Sequence, residues 1–205
     1  MIYLTVYLTA IPLLKILARE DLETLIGSVE FWLDMRSLIK GVALAKRRGL
    51  CVKFLIVGKG IHTNYSDKVV RWVKDMGLEK QTLWLDFIPQ DEVPEYMATM
   101  DVGTIPFDLS NPTAYYAAPN KMWEYLSQMR PVVSAPIPEA LNNSDCLLLA
   151  SNPQDYASKI LLISRRDSEV LEKLENGYSK SRGKSWEKSA ELFASTLNAI
   201  LNGMK

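Results

Sequence analysis

The chain has 205 residues, of which 48% are hydrophobic and 23% are charged, and its 24 Lys and Arg balance its 24 Asp and Glu. These values are typical of a globular protein with one sizeable core. A balanced charge argues against nucleic acid as a partner, because nucleic-acid-binding domains carry a basic surface.

The first 14 residues, Met1 to Leu14, carry no charged side chain. The stretch is too short to span a bilayer, and it lacks the basic start and cleavage site of a secretory signal. We therefore predict an apolar N-terminal segment at 1–22, followed by one domain at 23–205. Three interpretations of the segment stay open: packing on the core or on a partner, an anchor at a membrane surface, and a remnant of a longer ancestral chain.

Apolar runs alternate with amphipathic helical runs along the rest of the chain, a pattern typical of a parallel sheet covered on both faces. Strands are predicted at Thr24–Val29, Val52–Val57, Thr82–Leu85, Val102–Ile105, Val132–Ser134 and Cys146–Ala150. Helices are predicted at Asp34–Arg48, Tyr65–Met76, Glu92–Met100, Pro153–Ser164, Ser168–Ser181 and Trp186–Leu201, with a further helix opened by Pro119. The fold class is therefore α/β, with three layers and about six parallel strands.

The helix that begins near Pro119 precedes a buried strand. Pro119 suits a first helical position, where a missing N–H has no partner to lose, and Pro131 ends the helix before the next strand. An apolar face is predicted at positions i, i+3, i+4 and i+7, which are Met122, Tyr125, Leu126 and Met129.

The same spacing places Lys121 and Glu124 together on another side of this helix. A helix N-terminus binds phosphate through unpaired N–H groups, and Lys121 would add positive charge. Glu124 can accept two hydroxyl groups, as acidic residues do with ribose in dinucleotide folds. The alternative interpretation is an ion pair on a solvated helix face.

Ligands of an open parallel sheet bind outside the carboxyl ends of the strands. In this chain the loops at that edge are Glu30–Trp32, Gly58–Thr63, Asp86–Pro89, Pro106–Ala118 and Ala135–Glu139. We interpret the part of the fourth loop from Ser110 to Ala117 as mobile, since it contains Asn, Pro, Ser and Thr.

Several runs of the chain resemble the donor-binding half of retaining family 4 glycosyltransferases of the GT-B fold. The run PNKMWEYLSQMRPVVSAPIPE, from Pro119 to Glu139, is similar to their donor-site signature. LIGSVEFWLDMRSLI from Leu25 and KFLIVGKG from Lys53 resemble their first two strands with the loops that follow. LWLDFIPQDEVPEYMATMDVGTIPF from Leu83 and SWEKSAELF from Ser185 resemble later elements in the same order. The resemblance implies a Rossmann-like domain that is one half of a GT-B fold.

The resemblance also implies the roles of individual residues in holding a nucleotide diphosphate sugar. Glu124 would bind the donor ribose. The diphosphate would be bordered by Lys121, Tyr116, Ala117, Gly58 and Gly60. Phe87 and Ile88, which follow the third strand, would lie beside the base. No catalytic residue is assigned, and neither a metal nor a cofactor is expected, because GT-B enzymes use helix dipoles and basic side chains instead.

Two departures from the family pattern concern the donor site. Tyr116 stands eight residues before Glu124, where the family has a first glutamate that contacts the sugar. The segment after the first strand lacks the arginine and lysine that many relatives place near the leaving diphosphate; Arg36 or Lys40 on the following helix are the available substitutes.

The function implied is that of a glycosyltransferase donor domain, part of a metal-independent hexosyltransferase. It would need a separate acceptor-binding partner or a missing N-terminal domain, because GT-B enzymes have two such halves. The alternative is a non-catalytic nucleotide-sugar-binding or interaction module derived from such an enzyme.

Cys51 and Cys146 lie in apolar runs and show neither metal-ligand spacing nor a disulfide framework, which favours two core thiols and a cytoplasmic location. Contact with the inner face of the membrane is the other location considered.

Overall fold

Six parallel strands form the centre of the molecule. The computed structural model describes residues 22–26, 29–58 and 64–203, and of 22–26 it describes the backbone alone. The strands are β1 Leu22–Ile26, β2 Val52–Val57, β3 Thr82–Leu85, β4 Val102–Ile105, β5 Val132–Ser134 and β6 Leu148–Leu149. They form one sheet in the order β3-β2-β1-β4-β5-β6, and each neighbouring pair is parallel. The predicted α/β class and parallel sheet are confirmed.

The bounds of the four strands from β2 to β5 are those that the sequence predicts. The first strand begins two residues earlier than predicted because Leu22 pairs with Val52, the first residue of β2. The sixth strand is shorter than predicted because it lies at the edge of the sheet, where only Leu148 and Leu149 find partners on β5. Continuous apolar runs suit this sheet, since all residues of β4 and β5 are buried.

Helices connect and follow the strands. Their bounds are α1 Met35–Arg47, α2 Tyr65–Asp75, α3 Val93–Thr99, α4 Pro112–Tyr115, α5 Asn120–Ser127, α6 Pro138–Asn142, α7 Pro153–Ser164, α8 Ser168–Ser181 and α9 Trp186–Gly203. The short helix α4 lies in the loop interpreted as mobile. Asn111 explains it, because its side-chain oxygen accepts hydrogen bonds from the N–H groups of Thr113 and Ala114 at 3.0 and 3.3 Å.

The direction in which successive strands are added to the sheet reverses between β1 and β4, and this reversal places helices on both faces of the sheet. From β1 the next strands are added toward β3, whereas from β4 they are added toward β6. Right-handed crossovers then put α1 and α2 on one face and α5 on the other. One core cluster accordingly includes residues of α1, α2 and α7, and the second includes residues of α3, α5 and α6. A crevice is expected at the reversal, between the carboxyl ends of β1 and β4.

The two cysteines differ in environment. Cys146 is buried, as expected, whereas Cys51 is exposed. The expectation of a core thiol is wrong for Cys51 because this residue precedes β2 and lies outside the sheet. Among the described residues no helix combines the length and the apolar character needed to cross a bilayer.

Met129 lies outside the apolar face that the sequence predicts for α5. Met122, Tyr125 and Leu126 are fully buried, but the helix ends at Ser127 and Met129 is 40% exposed. Its φ is +54°, in the left-handed region. This conformation costs a non-glycine residue about 1–2 kcal/mol. The position after a helix end is the one where glycine is usual.

We therefore expect Met129→Gly to raise the free energy of unfolding by about 0.5–1 kcal/mol, because the strain relieved exceeds the added entropy of the unfolded chain. Urea denaturation measures the effect. Gly49→Ala is the matched control, since Gly49 has φ +90° and an added Cβ would meet nothing within 4 Å. It should destabilise the protein by about 1 kcal/mol. An unchanged or lowered stability of Met129→Gly would contradict the expectation.

Candidate donor site at the carboxyl edge of the sheet

The loops after β1 and β4 are joined at the carboxyl edge of the sheet. Leu33 and Phe107 form an antiparallel bridge. On either side of it, the N–H of Asp34 donates to Pro106 O at 2.7 Å, and the N–H of Asp108 donates to Trp32 O at 2.9 Å. These bonds fix the floor of the crevice expected between β1 and β4.

The α5 N-terminus opens onto this edge with free backbone donors. The N–H groups of Ala118, Asn120 and Lys121 donate to no other described residue. Pro119, at the N-cap rather than at the first helical position, has no N–H to contribute. Three donors at the positive end of a helix make an anion-binding arrangement.

Lys121 and Glu124 lie on the solvent side of the first turns of α5. Glu124 is exposed and Lys121 is partly exposed. Neither side chain forms a salt bridge or a side-chain hydrogen bond with another described residue. The ion pair that the sequence leaves open as an alternative is therefore not formed, and both groups face outward beside the open amides.

Two buried contacts and one surface contact hold α5 in place. The Tyr125 ring packs on Gly103 of β4, and Leu126 packs against Gly177 of α8. The Lys184 Nζ lies 4.7 Å from the centre of the Trp123 ring, an attractive cation–π distance. Because these contacts fix α5, the orientation of Glu124 and Lys121 depends on the side chains that α5 packs against the rest of the domain.

Tyr116 and Ala117 lie between α4 and α5. Tyr116 is 78% exposed, and its ring packs edge-on against Tyr115 with centroids 5.0 Å apart. The N–H groups of Tyr116 and Ala117 donate to Pro112 O and Ala114 O at 3.1 and 3.2 Å. These two N–H groups are therefore bonded to carbonyls of α4, and Ala118 is the first residue after them whose N–H has no acceptor among the described residues.

Gly58 ends β2 in a conformation that favours glycine. Its φ is +101°. Its N–H donates to Leu85 O at 2.8 Å, and its carbonyl accepts from Trp84 Nε1 at 3.2 Å, so β3 fixes it from both sides. Gly60 lies outside the described residues.

The α2 helix, which follows this loop, is tied to the loop after β1. The Tyr65 hydroxyl donates a short hydrogen bond to Leu33 O. Burial raises the pKa of Tyr65 to about 12, so the hydroxyl stays protonated as the donor of this bond.

Phe87 and Ile88 follow β3 at the same edge but differ in exposure. Ile88 is buried, whereas Phe87 is 82% exposed. An exposed aromatic face is available for stacking on a ligand. Three strand spacings separate β3 from β4 in the sheet order, which is about 14 Å. The edge therefore offers an aromatic side chain at one end and an anion-binding helix terminus at the other.

Sequence patterns missed two features of this edge. Glu30, which follows β1, is almost fully buried. Its position next to the end of a strand could have indicated a buried carboxylate. The open amides of Ala118 and Asn120 were also missed, although Pro119 signals a helix start there. Among the described residues, no group of three or more His, Cys, Asp or Glu side chains is placed to hold a metal ion.

Similar structures share this fold. The chain matches Anabaena HepE solved with UDP-glucose at a TM-score of 0.75 and 17% identity, over 92% of this chain and 51% of that chain. It matches the C-terminal domain of a group 1 glycosyl transferase, LpcC, from Francisella tularensis at 0.67 and 17%, over 83% and 88%. The catalytic domain of cholesterol-α-glucosyltransferase from Helicobacter pylori matches at 0.64 and 16%, over 80% and 99%. The chain thus spans about half the length of HepE.

A family match covers most of the domain. No curated protein matches the chain. The family described as Glycosyl transferases group 1 matches residues 24–165, which is more than half of the chain and includes the loops and helix of the candidate site. The chain therefore belongs to the group 1 glycosyl transferases.

Proposed function

We propose that the protein is the donor-binding half of a retaining glycosyltransferase and binds a nucleotide diphosphate sugar at the carboxyl edge of its sheet. The observation that carries this proposal is the α5 N-terminus. There, three backbone amides and the Lys121 and Glu124 side chains have no partner among the residues that the structure describes. Such a terminus stabilises a diphosphate through hydrogen bonds and the helix dipole. Glu124 accepts hydrogen bonds from the two ribose hydroxyls.

The base lies toward β3 in this arrangement. Phe87 stacks on it, and the backbone at Ile88 lines its edge. Gly58 and Gly60 border the diphosphate from the loop after β2, and Tyr116 and Ala117 border it from the α4 side. Solved structures of HepE with UDP and UDP-glucose, and of pneumococcal GtfA with UDP and GlcNAc, support a nucleotide of this class.

The chemistry proposed is glycosyl transfer with retention at the anomeric carbon. Negative charge grows on the diphosphate as the bond to the sugar breaks. The amides at Ala118, Asn120 and Lys121 and the Lys121 ammonium are fixed near that charge, and preorganised donors of this kind lower the barrier. The donor is a substrate in this proposal and not a cofactor.

An acceptor-binding half completes the proposed enzyme. The chain spans about half the length of HepE, and α9 presents an apolar stripe that no other described element covers. Lys184, two residues before α9, contacts Trp123 next to Glu124. We propose that this half, as a partner chain or as a further domain, packs on α9 and closes the cleft over the donor.

A non-catalytic nucleotide-sugar module is the second candidate. Tyr116 favours it, because this exposed ring stands where a glutamate for the sugar is expected from the resemblance. Such a module would bind the nucleotide through the same α5 groups, so binding alone does not separate the two candidates.

Calorimetric titration with UDP, GDP and their sugar conjugates tests the site. We expect Glu124→Ala to weaken the binding of the preferred nucleotide by about 10- to 100-fold, because hydrogen bonds to a charged group contribute about 1.5–3 kcal/mol. Glu175→Ala on α8 is the matched control, an exposed glutamate away from the edge, and should bind like the wild type.

Equal affinities of Glu124→Ala and the wild type would reject the assigned ribose contact. The absence of binding by a folded wild-type protein would reject the donor site in this chain. Sugar transfer measured with an acceptor-binding chain added then separates the enzyme from the module, since only the enzyme turns the donor over.

A further inference from the structure

A half-enclosed cavity of about 120 Å³ lies at the carboxyl edge on the face of the sheet opposite α5. Its polar walls are formed by Asp34 at the start of α1, Asp108 after β4, Ser151 after β6 and Tyr156 on α7. Asp34 and Tyr156 adjoin α1 and α7, which pack on one face of the sheet, whereas the α5 N-terminus of the proposed diphosphate site belongs to a helix on the other face.

Two carboxylates that pair with no cation in the described part of the chain line this cavity. Asp34 Oδ1 accepts from the N–H of Ser37 at 3.0 Å, and Asp108 Oδ1 accepts from the N–H and hydroxyl of Ser110 at 2.9 and 2.6 Å. Each carboxylate keeps its second oxygen, and neither forms a salt bridge with a described residue. Each carboxylate belongs to a residue that directly follows the bridged pair Leu33 and Phe107, and both line the same cavity. The cavity therefore attracts a cation and repels an anion.

The Tyr156 hydroxyl is a second, independent sign of a ligand. Tyr156 is 2% exposed and lines the cavity beside Asp34. Its hydroxyl forms no hydrogen bond with any residue that the structure describes. The hydroxyl is not sealed inside the core but reaches the cavity, where a ligand can bond to it.

The size and remaining walls of the cavity indicate the kind of cation. One water needs only roughly 10–15 Å³ by the same measure of volume. Phe107, Leu109, Ala135 and Ala150 form apolar walls opposite the carboxylates. A bare metal ion would leave these walls uncovered, whereas a cation on a small carbon skeleton fills the space.

We propose that this cavity binds a small organic ammonium ion that also carries hydroxyl groups, such as a protonated amino sugar. The ammonium group lies between Asp34 and Asp108, and the Tyr156 hydroxyl bonds to a hydroxyl group of the ligand. Ser151 Oγ, which donates to Asp155 Oδ2 at 2.9 Å, accepts from another. The loops that carry Asp34 and Asp108 are the same two that join at Leu33 and Phe107. A ligand there lies at the same sheet edge as the proposed donor, but its binding does not require donor binding.

Glucosamine is the probe for this site, and glucose, which lacks the ammonium group, is the uncharged control. In a titration followed by amide chemical shifts of the labelled protein, glucosamine should cause saturable shifts around Asp34, Asp108 and Tyr156, and glucose should not. Asp108→Asn should weaken glucosamine binding about tenfold or more. It preserves the local hydrogen bonds to Ser110, because an amide oxygen accepts as well. The affinity for UDP should stay unchanged in this variant, which separates this site from the proposed donor site.

Tyr156→Phe gives a readout that a purely structural tyrosine would not give. Because the hydroxyl has no partner, its removal should leave the melting temperature unchanged or raised, while glucosamine binding weakens several-fold. The proposal is overturned if glucosamine and glucose bind alike, if neither causes saturable shifts, or if Mg²⁺ or Ca²⁺ alone shifts these residues. A lowered melting temperature of Tyr156→Phe also overturns it, since the hydroxyl would then be satisfied within the fold.

Discussion

Gly103→Ala is expected to lower the free energy of unfolding by about 3 kcal/mol and to abolish nucleotide binding at accessible concentrations. A Cβ at this position of β4 would lie 2.4 to 2.8 Å from three atoms of the Tyr125 ring. The ring is fully buried, so α5 must move away from the sheet, and overpacking of a filled core costs about 1–3 kcal/mol or more. Because α5 carries Lys121, Glu124 and the open amides, its displacement also disrupts the proposed donor site.

Urea denaturation and calorimetric titration with UDP measure the two effects. Gly203→Ala is the matched control, because an added Cβ there meets nothing within 4 Å, and it should leave both quantities unchanged. Gly177→Ala should cost less than Gly103→Ala, since the one atom closer than 3.0 Å to the added Cβ is Leu126 Cδ2, at the end of an aliphatic side chain. Wild-type stability and wild-type UDP affinity of Gly103→Ala would show that α5 is not held by this contact.

The positions that the sequence predicts well are those governed by local patterns. The buried strands β2, β4 and β5 read as continuous apolar runs, and Pro119 and Pro131 bracket α5. The contact between Gly103 and Tyr125 is different in kind. It joins residues on separate elements, and a glycine in a strand does not reveal which side chain covers it. The exposure of Met129 has a local reason, because the helix ends at Ser127, two residues earlier than the apolar spacing suggests.

The same distinction applies to the candidate sites. Lys121 and Glu124 share one helix, so helical spacing alone places both beside its N-terminus. The cavity could not be predicted, because its polar residues follow three different strands: Asp34 follows β1, Asp108 follows β4, and Ser151 and Tyr156 follow β6. Only the sheet order, with its reversal between β1 and β4, brings these segments together.

The apolar stripe of α9 leads to the second large effect. Trp186, Ala190, Phe193, Leu197 and Ile200 follow one another at spacings of four, three, four and three residues. This is the pattern of a seam between two packed helices. Nevertheless every residue of α9 is exposed, and Phe193 is 71% exposed. Since the chain spans about half of HepE and Lys184, two residues before α9, contacts Trp123, we assign the seam to the proposed acceptor-binding half.

We expect Phe193→Glu combined with Leu197→Glu to leave the free energy of unfolding and the affinity for UDP unchanged, because neither side chain packs on the domain. The partner in this test is an acceptor-binding chain that supports sugar transfer by the wild-type protein. The affinity of the double variant for this chain should be more than about 100-fold lower than that of the wild type. Central apolar anchors of an interface each contribute about 2–4 kcal/mol, and a charge in their place must be desolvated.

Ser195→Glu, on the polar side of α9, is the matched control and should keep both binding and transfer. Pull-down by the acceptor-binding chain and a sugar-transfer assay give the two readouts. A destabilised double variant would mean that the stripe is already covered within this chain. Full transfer activity of the double variant would show that the acceptor-binding half does not pack on α9. The carboxyl edge of the sheet would then have to supply the whole interface.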